Sequence, residues 1–589
     1  MVTATGGRAA WEAEHTGHLS GRVSAFGLSG TIEAWTARPD RSASATKLGP
    51  FTLLEGMDGA AAWRTDPSGK LQMLDGRDLV RARASVWFEN ENYLASDHGG
   101  GQIRWIATEK DSAGTFDVLE ITPPAGDSRR YAFDAATGLL VRVTLKEDQQ
   151  SALSTLSDYR PAGSRKVAYV THTAIVNMPA NALTVTLDSI EVNVPVDASH
   201  FAPPRTAAPG VRWLKQDGIA RLAFQYRGRH VWLRASINGA QPADFLFDTG
   251  ASITILDSAY AAKMGIETTG KMDAMGAGSS GGASFATLKS LRVAGDDGDG
   301  VELSDQKIGV LSVNGVLAPF FWRDCAGVLG YGFISQFVNE IDFDADTLVL
   351  RDPKSFEYHG AGTMIPMTLA GTVPVVRLKL DGSIEGDYRL DVGSNSTVDV
   401  HGPFAKKHAL EGTTGKSLEV TGAGFGGQFT SRVVRMKRIE IGPYGWDRPI
   451  VSLSGATTGA LASEDYAGNI GNQILERFKC TLDYDRHQVY LEPGQKYREP
   501  DHFSRAGVLL IKVNGVVRAG EVLKGSPAAS AGLRKDDEVL SIDGKAALSC
   551  EPDDLARLFE EGAEGRKVVF EIKRGDKVKK LKVKLKEMI

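Results

Sequence analysis

Apolar and polar residues alternate with a period of two along much of the chain, broken at short intervals by Gly, Asn and Asp. Residues 21–27 with 30–35, and 130–134 with 137–143, have this form. Alternation with turn residues between runs predicts antiparallel strands with one buried face. Residues 78–84 are the most helix-like part of the first 200. Two runs depart from simple alternation. Residues 245–254 (FLFDTGASIT) and 388–397 (YRLDVGSNST) each carry an apolar segment into one Asp, then a Gly turn, then β-branched residues.

The surroundings of these two runs repeat as well. Each is preceded by a strand and a hairpin signal, Asn238-Gly239 and Asp381-Gly382, whose central residues need positive φ. Asp248 and Asp391 each follow the first turn residue by the same ten positions. A short helix-like stretch comes next (259–266 and 403–410), then a glycine-rich hairpin (276–282 and 422–427). Each half closes on an apolar stretch ending in Gly, Val328-Leu329-Gly330 and Asn469-Ile470-Gly471, followed by a strand. Five ordered features in register define an internal duplication. The glycine hairpins lack the Lys-Ser/Thr of a phosphate loop and do not open a helix after a strand, so they are expected to be flaps.

Length bounds the architecture. The chain has 589 residues, which is too many for one hydrophobic core. The expected divisions are 1–204, a Pro-rich linker at 205–217, two lobes at 218–355 and 356–495, and 496–589. A formal net charge of −5 argues for neither a nucleic-acid nor an anionic-membrane partner, and no nucleic acid is expected. No apolar run is long enough to span a bilayer as a helix. The first residues lack a basic-then-apolar secretory signal, so the protein is expected to be cytosolic or to have had a signal removed. Three cysteines, Cys325, Cys480 and Cys550, do not make a disulfide framework or a metal site. Cys325 and Cys480 could form one bridge, but isolated buried thiols fit better. His359, His401 and His408 are expected in surface or capping roles. The acids of 342–344 and 483–485 are expected in solvated turns.

Three resemblances sharpen this outline. The alternating pattern of 56–63 and 131–134 resembles the half-barrel of bacterial lipoprotein-carrier proteins. That implies a concave face able to take an acyl chain or an unfolded segment, although a plain accessory domain is the preferred reading. Asp248-Thr249-Gly250-Ala251-Ser252, the flap-like hairpins and Val328-Leu329-Gly330 resemble the pepsin-like and retropepsin-like aspartyl proteases. Gly525-Ser526-Pro527 through Gly532-Leu533, with Asp543-Gly544, resembles the PDZ domains of bacterial envelope proteases. The implied fold class is mainly β and multi-domain, with an N-terminal antiparallel half-barrel, a duplicated two-lobed aspartic-protease β fold and a C-terminal α+β PDZ domain.

The implied function is an aspartic-type endopeptidase. Two like charges held close cannot both ionise, so a carboxylate pair shares one proton and can both activate water and polarise a carbonyl. By resemblance Asp248 and Asp391 are the catalytic pair, with Gly250 and Gly393 allowing close backbone approach. Thr249 is expected to bond across to the other lobe, and Ser252 to hold the outer oxygen of Asp248, with Asn395 in its place in the second lobe. Gly276, Gly278, Gly422 and Gly424 belong to the flaps. Gly507, Val508, Leu509 and Leu510 are expected to bind a protein C-terminus. No metal or cofactor is implied, and the substrate is polypeptide. The second lobe's Val392 and Asn395 depart from the family pattern and favour an alternative, a peptide-binding scaffold that does not cut. The company of these domains implies an envelope or other extracytoplasmic setting.

Overall fold

A computed structural model describes residues 2–204, 210–216, 218–410 and 415–589. Residues 205–209 of the expected linker, and Asp217, lie outside the described residues. The linker's remainder is not free chain. Val211–Trp213 is a strand on the first lobe's sheet, pairing with Val301–Leu303.

Residues before 204 form one antiparallel sheet of thirteen strands. The first strand, Thr16–Ala25, pairs with the last, Met178–Val192, so two meanders join at the middle of the sheet. The helix Gly76–Glu89 extends the expected 78–84 at both ends. Its Trp87 and Phe88 pack with Trp11, Tyr93, Tyr131 and Phe133 into an aromatic core.

The duplication is visible strand for strand. In the first lobe, Ala243–Phe247 runs parallel to Gly327–Leu329, and Ile255–Asp257 lies antiparallel to that same short strand. In the second lobe, Ile384–Leu390, Gly468–Ile470 and Val398–Val400 have the same relations. The hairpin turns take the expected left-handed form, with φ of 49° and 77° at Asn238 and Gly239, and 48° and 78° at Asp381 and Gly382.

The lobes are joined by a six-stranded sheet. At its centre Val338–Asp342 pairs antiparallel with Phe478–Asp483. The closing acids therefore part company. Asp342 caps its turn by accepting from the Asp344 and Ala345 N–H groups, as expected. Asp483, expected in solvent, is fully buried and paired with Arg486 at 2.7 Å. It is the last residue of a strand set between Val338–Asp342 of the other lobe and Gln488–Pro493 of its own, so the shared sheet covers it. One continuous core runs through both lobes and includes Phe245, Phe247, Leu329, Tyr388, Leu390 and Ile470. Burying each such side chain stabilises by about 1.5–3 kcal/mol, and here those residues are also the struts of the two acid turns.

Residues from about 504 onward form a separate five-strand path with an added short strand, packed around Phe559, Phe570 and Ile572. The strand Val508–Val513 lies at the sheet's edge. All three cysteines are free and buried. Among the described residues no helix is long and apolar enough to cross a membrane.

Candidate active site

Each acid turn is held where its strand ends. The Asp248 N–H donates to the Leu329 carbonyl at 3.0 Å, and the Asp391 N–H to the Ile470 carbonyl at 2.9 Å. The equivalence of these bonds brings both carboxyls to the same level on either side of the lobe boundary. They meet there, each lying beside the glycine of the other's turn. The two glycines make the meeting possible. A Cβ on Gly393 would stand 2.2 Å from Asp248 Cγ, and one on Gly250 would stand 2.7 Å from Asp391 Oδ1. Neither position admits a side chain.

Both aspartates are half-buried and lifted above the ordinary carboxylate range. Desolvation is the first cause for each. For Asp391 the charge on Asp248 comes next, followed by the charge on Asp399, and Asp391 is lifted well above its usual value. Asp248 is lifted as well, against the Gly250 N–H, which donates to its Oδ1 at 2.7 Å. The pair therefore holds one proton more readily than two isolated acids would, and its titration belongs to the pair.

Thr249 does what its position predicts. Its buried hydroxyl donates to the Leu390 carbonyl at 2.7 Å and accepts from the Val392 N–H at 3.0 Å, tying the lobes from one side. Val392 cannot reciprocate. Asn472, buried in the closing turn of the second lobe, takes over: its Nδ2 donates to the carbonyls of Arg229 and Val392, both at 2.7 Å. The lobes are thus latched from both sides, once by a hydroxyl and once by an amide.

Two supporting roles are corrected. Ser252 is exposed and makes no hydrogen bond to Asp248, and Asn395 is exposed with no bond to Asp391. The reason is the same in both lobes. The preceding residue turns its backbone inward, the Ala251 carbonyl accepting from the Tyr331 N–H at 2.9 Å and the Ser394 carbonyl from the Asn472 N–H at 2.8 Å. The next side chain then faces out. Asn395 offers only its carbonyl, to Gln473 at 3.0 Å. The side chain that does reach Asp391 is Asn469, whose Nδ2 lies 3.4 Å from Oδ2. His401, expected near the surface, is buried and held down to about 3 by desolvation, with the nearby Arg389 charge adding to this. His230, also buried, faces the Gly393 backbone and is lowered to about 4 by desolvation.

The glycine runs form the expected hairpins, Thr269–Met275 with Ser280–Ala294 and Ser417–Gly424 with Gly427–Arg435. Their tips touch. The Ala277 N–H donates to the Phe425 carbonyl at 2.9 Å, and the Ser279 hydroxyl donates to the Gly426 carbonyl. Gly276 sits where a Cβ would meet the Phe425 oxygen at 1.9 Å, and Gly278 accepts from the Thr458 hydroxyl at 2.8 Å. Gly422 and Gly424 lie on the second hairpin's rising strand, paired with Phe429 and Gly427. Asp273 of the first hairpin accepts from the Ala180 N–H at 3.0 Å, and its own N–H donates to Asn181 at 2.8 Å. Thr421 of the second donates to Glu521 from its N–H at 2.9 Å and its hydroxyl at 2.7 Å.

Gly507, Val508, Leu509 and Leu510 lie where the edge strand Val508–Val513 begins. The helix Asn314–Phe321 of the first lobe packs against that strand, and the Trp322 indole N–H donates to the Leu510 carbonyl at 3.3 Å. Leu317 and Phe321 of the same helix pack on the apolar cluster around Trp232 and Leu246 that Met272, Ala274 and Phe425 of the flaps also cover. Among the described residues no cluster of His, Cys, Asp or Glu is placed to hold a metal ion.

A duplicated two-lobed β fold with one carboxyl from each lobe is the architecture of the aspartyl proteases. Residues 233–332, spanning most of the first lobe, match the aspartyl protease family model, and residues 504–585 match the PDZ domain model. Two solved structures are similar to part of the chain. One is a domain assigned to outer membrane lipoprotein sorting, from Vibrio parahaemolyticus, 12% identical over 33% of this chain and 92% of that one, with a TM-score of 0.25. The other is a LolA superfamily protein from Nitrosomonas europaea, 9% identical over 32% of this chain and 90% of that one, with a TM-score of 0.24. No curated protein matches the chain in sequence.

Proposed function

We propose that the protein is an aspartic-type endopeptidase that hydrolyses extended polypeptide between its lobes, with its PDZ unit recruiting substrate or partner C-termini. The observation that carries this is the approach of Asp248 and Asp391 across the lobe boundary, each beside the glycine of the other's turn, in a fold whose two flap-like hairpins meet at their tips. With one proton on the pair, the ionised carboxyl takes a proton from water as the new C–O bond forms. The protonated carboxyl gives its proton to the substrate carbonyl oxygen as that oxygen receives the π electron pair. Breakdown of the tetrahedral adduct returns the proton through the same pair to the leaving nitrogen. Low-lying amides at Gly250 and Gly393 fix the carboxyls before substrate arrives, so little reorganisation remains to be done.

The alternative, a scaffold that binds without cutting, was motivated by Val392 and Asn395. Asn472 weakens that motive, because it supplies the cross-lobe bond that Val392 lacks. The reading also includes an extracytoplasmic setting, supported by the resemblance to envelope-protease PDZ domains, and fractionation of the host cell tests it.

The decisive assay follows cleavage of an unfolded protein from about pH 3 to about pH 8. Asp248→Asn is expected to reduce turnover by on the order of 10³-fold or more. Equal turnover in the two proteins would sink the mechanism.

A further inference from the structure

The lobes are symmetric in backbone but not in what lies beside each acid. In the first lobe the pair of residues facing each other across the inner strands is Ile255 and Val328. In the second lobe the corresponding pair is Asp399 and Asn469. Residues directly opposite in an antiparallel pair have Cβ atoms about 4.5–5.5 Å apart. Asp399 and Asn469 are therefore neighbours, and Asn469 is the side chain that reaches Asp391.

Asp399 is held in place from two more sides. The Ser396 hydroxyl donates to its Oδ2 at 2.6 Å, itself set by Ser394 at 2.8 Å. On the other flank Ser452 stands opposite Asp399 in the parallel strand. The Ser396 hydroxyl favours the charged form of Asp399 and works against the burial that lifts its carboxyl above the ordinary range. Among the described residues no lysine or arginine is ion-paired with it. The charged and titratable groups around the dyad are Asp399, Arg389, Tyr484 and His230, with the buried His401 near Arg389. Arg389 lies over the Tyr466 ring and its field is divided among Asp148, Asp391 and Asp465. His401 is kept neutral by burial. Asp399 is thus a third carboxylate on one side of the pair only.

We propose that Asp399, together with Asn469, is a positioning residue that settles the dyad's shared proton on Asp391 and leaves Asp248 as the group that deprotonates water. This rests on the endopeptidase reading and deepens it by giving the two acids distinct roles. Its physical basis is direct. A negative charge beside Asp391 makes its ionisation less favourable, whereas Asp248 faces only donors and the apolar Ile255–Val328 side. The aspartyl-protease match ends at residue 332, so the second lobe's polar pair lies outside it.

The test compares full-length wild type, Asp399→Asn and Asp399→Leu, with Asp248→Asn as the control for catalysis. Asn keeps the shape of Asp. Leu reproduces the apolar first-lobe environment, so the pair covers the case in which one variant folds poorly. Both changes are expected to move the basic limb of kcat/KM to lower pH by about one unit, because Asp391 then loses the shared proton earlier. A second readout needs no turnover: the pH dependence of binding of a peptide with a central hydroxyl in place of the scissile carbonyl is expected to shift by the same amount. A lowered plateau with an unmoved limb, in both variants and both assays, would make Asp399 merely structural and overturn the proposal. Undiminished cleavage by Asp248→Asn would instead remove the endopeptidase reading beneath it.

Discussion

At the scale of single residues, the site depends on buried polar groups that each have two tasks. Thr249 donates one bond and accepts another across the lobe boundary. Thr249→Val keeps its volume but leaves the Val392 N–H and Leu390 carbonyl without partners. An unsatisfied buried polar group costs about 1–3 kcal/mol, so urea unfolding is expected to show a loss in that range. Asn472→Leu is expected to lose a similar amount by the same assay, since it strands the carbonyls of Arg229 and Val392. The dyad acts in the opposite direction. Because burial lifts Asp391 well above its ordinary value, the folded chain keeps a proton that the unfolded chain releases. Stability then falls as pH rises from the ordinary carboxylate range toward the pair's own titration. Asp391→Asn removes that penalty. Its melting temperature at neutral pH is expected to exceed that of wild type while cleavage disappears, and an unchanged or lower Tm would contradict the account.

At the scale of elements, the acid turns were legible because their causes are local. An apolar strand, a Gly and a β-branched return fit within ten residues, and two Asn/Asp-Gly hairpins mark the register. Thr249's cross-lobe bond was implied by the resemblance to the aspartyl proteases, not by the pattern itself. What escaped were contacts between distant segments. Asn469 occupies a position where the first lobe has Val328, so in sequence it reads as a degraded apolar motif. Only the pairing with Asp399 shows it as one side of a polar cluster. Ser252 and Asn395 were misplaced because sequence spacing does not reveal that the preceding carbonyl points inward. Asp483 looked like turn chemistry until its strand paired with the other lobe. The flap tips allow a prediction at this scale. Gly276→Ala sets a methyl against the Phe425 carbonyl and is expected to lower kcat/KM by at least about tenfold, or ~1.4 kcal/mol. The edge strand Val508–Val513 allows another. Trp322→Ala vacates the Leu510 carbonyl and is expected to tighten binding of a C-terminal peptide about fivefold, the equivalent of ~1 kcal/mol of displaced contact. Unchanged affinity by titration calorimetry would mean that the indole does not compete.

At the scale of the whole molecule, the accessory units hold the flaps. The N-terminal sheet grips the first hairpin through Asn181 and Asp273, and Phe26 and Phe51 pack on Phe285 of that hairpin. The C-terminal unit grips the second through Glu521 and Thr421. Asn181→Ala is expected to raise hydrogen exchange in residues 269–294 alone, and Glu521→Ala in 417–435 alone. Exchange rising in both hairpins from either change would show that the tips move as one piece.

The joined tips have a geometric consequence. Because the Ala277–Phe425 and Ser279–Gly426 bonds tie one lobe's hairpin to the other's, neither tip can swing away alone while they last. On the proposed endopeptidase reading, admitting a chain between the tips first requires both bonds to break, so the rate of entry would be set by the parting of the hairpins and not by the carboxyls.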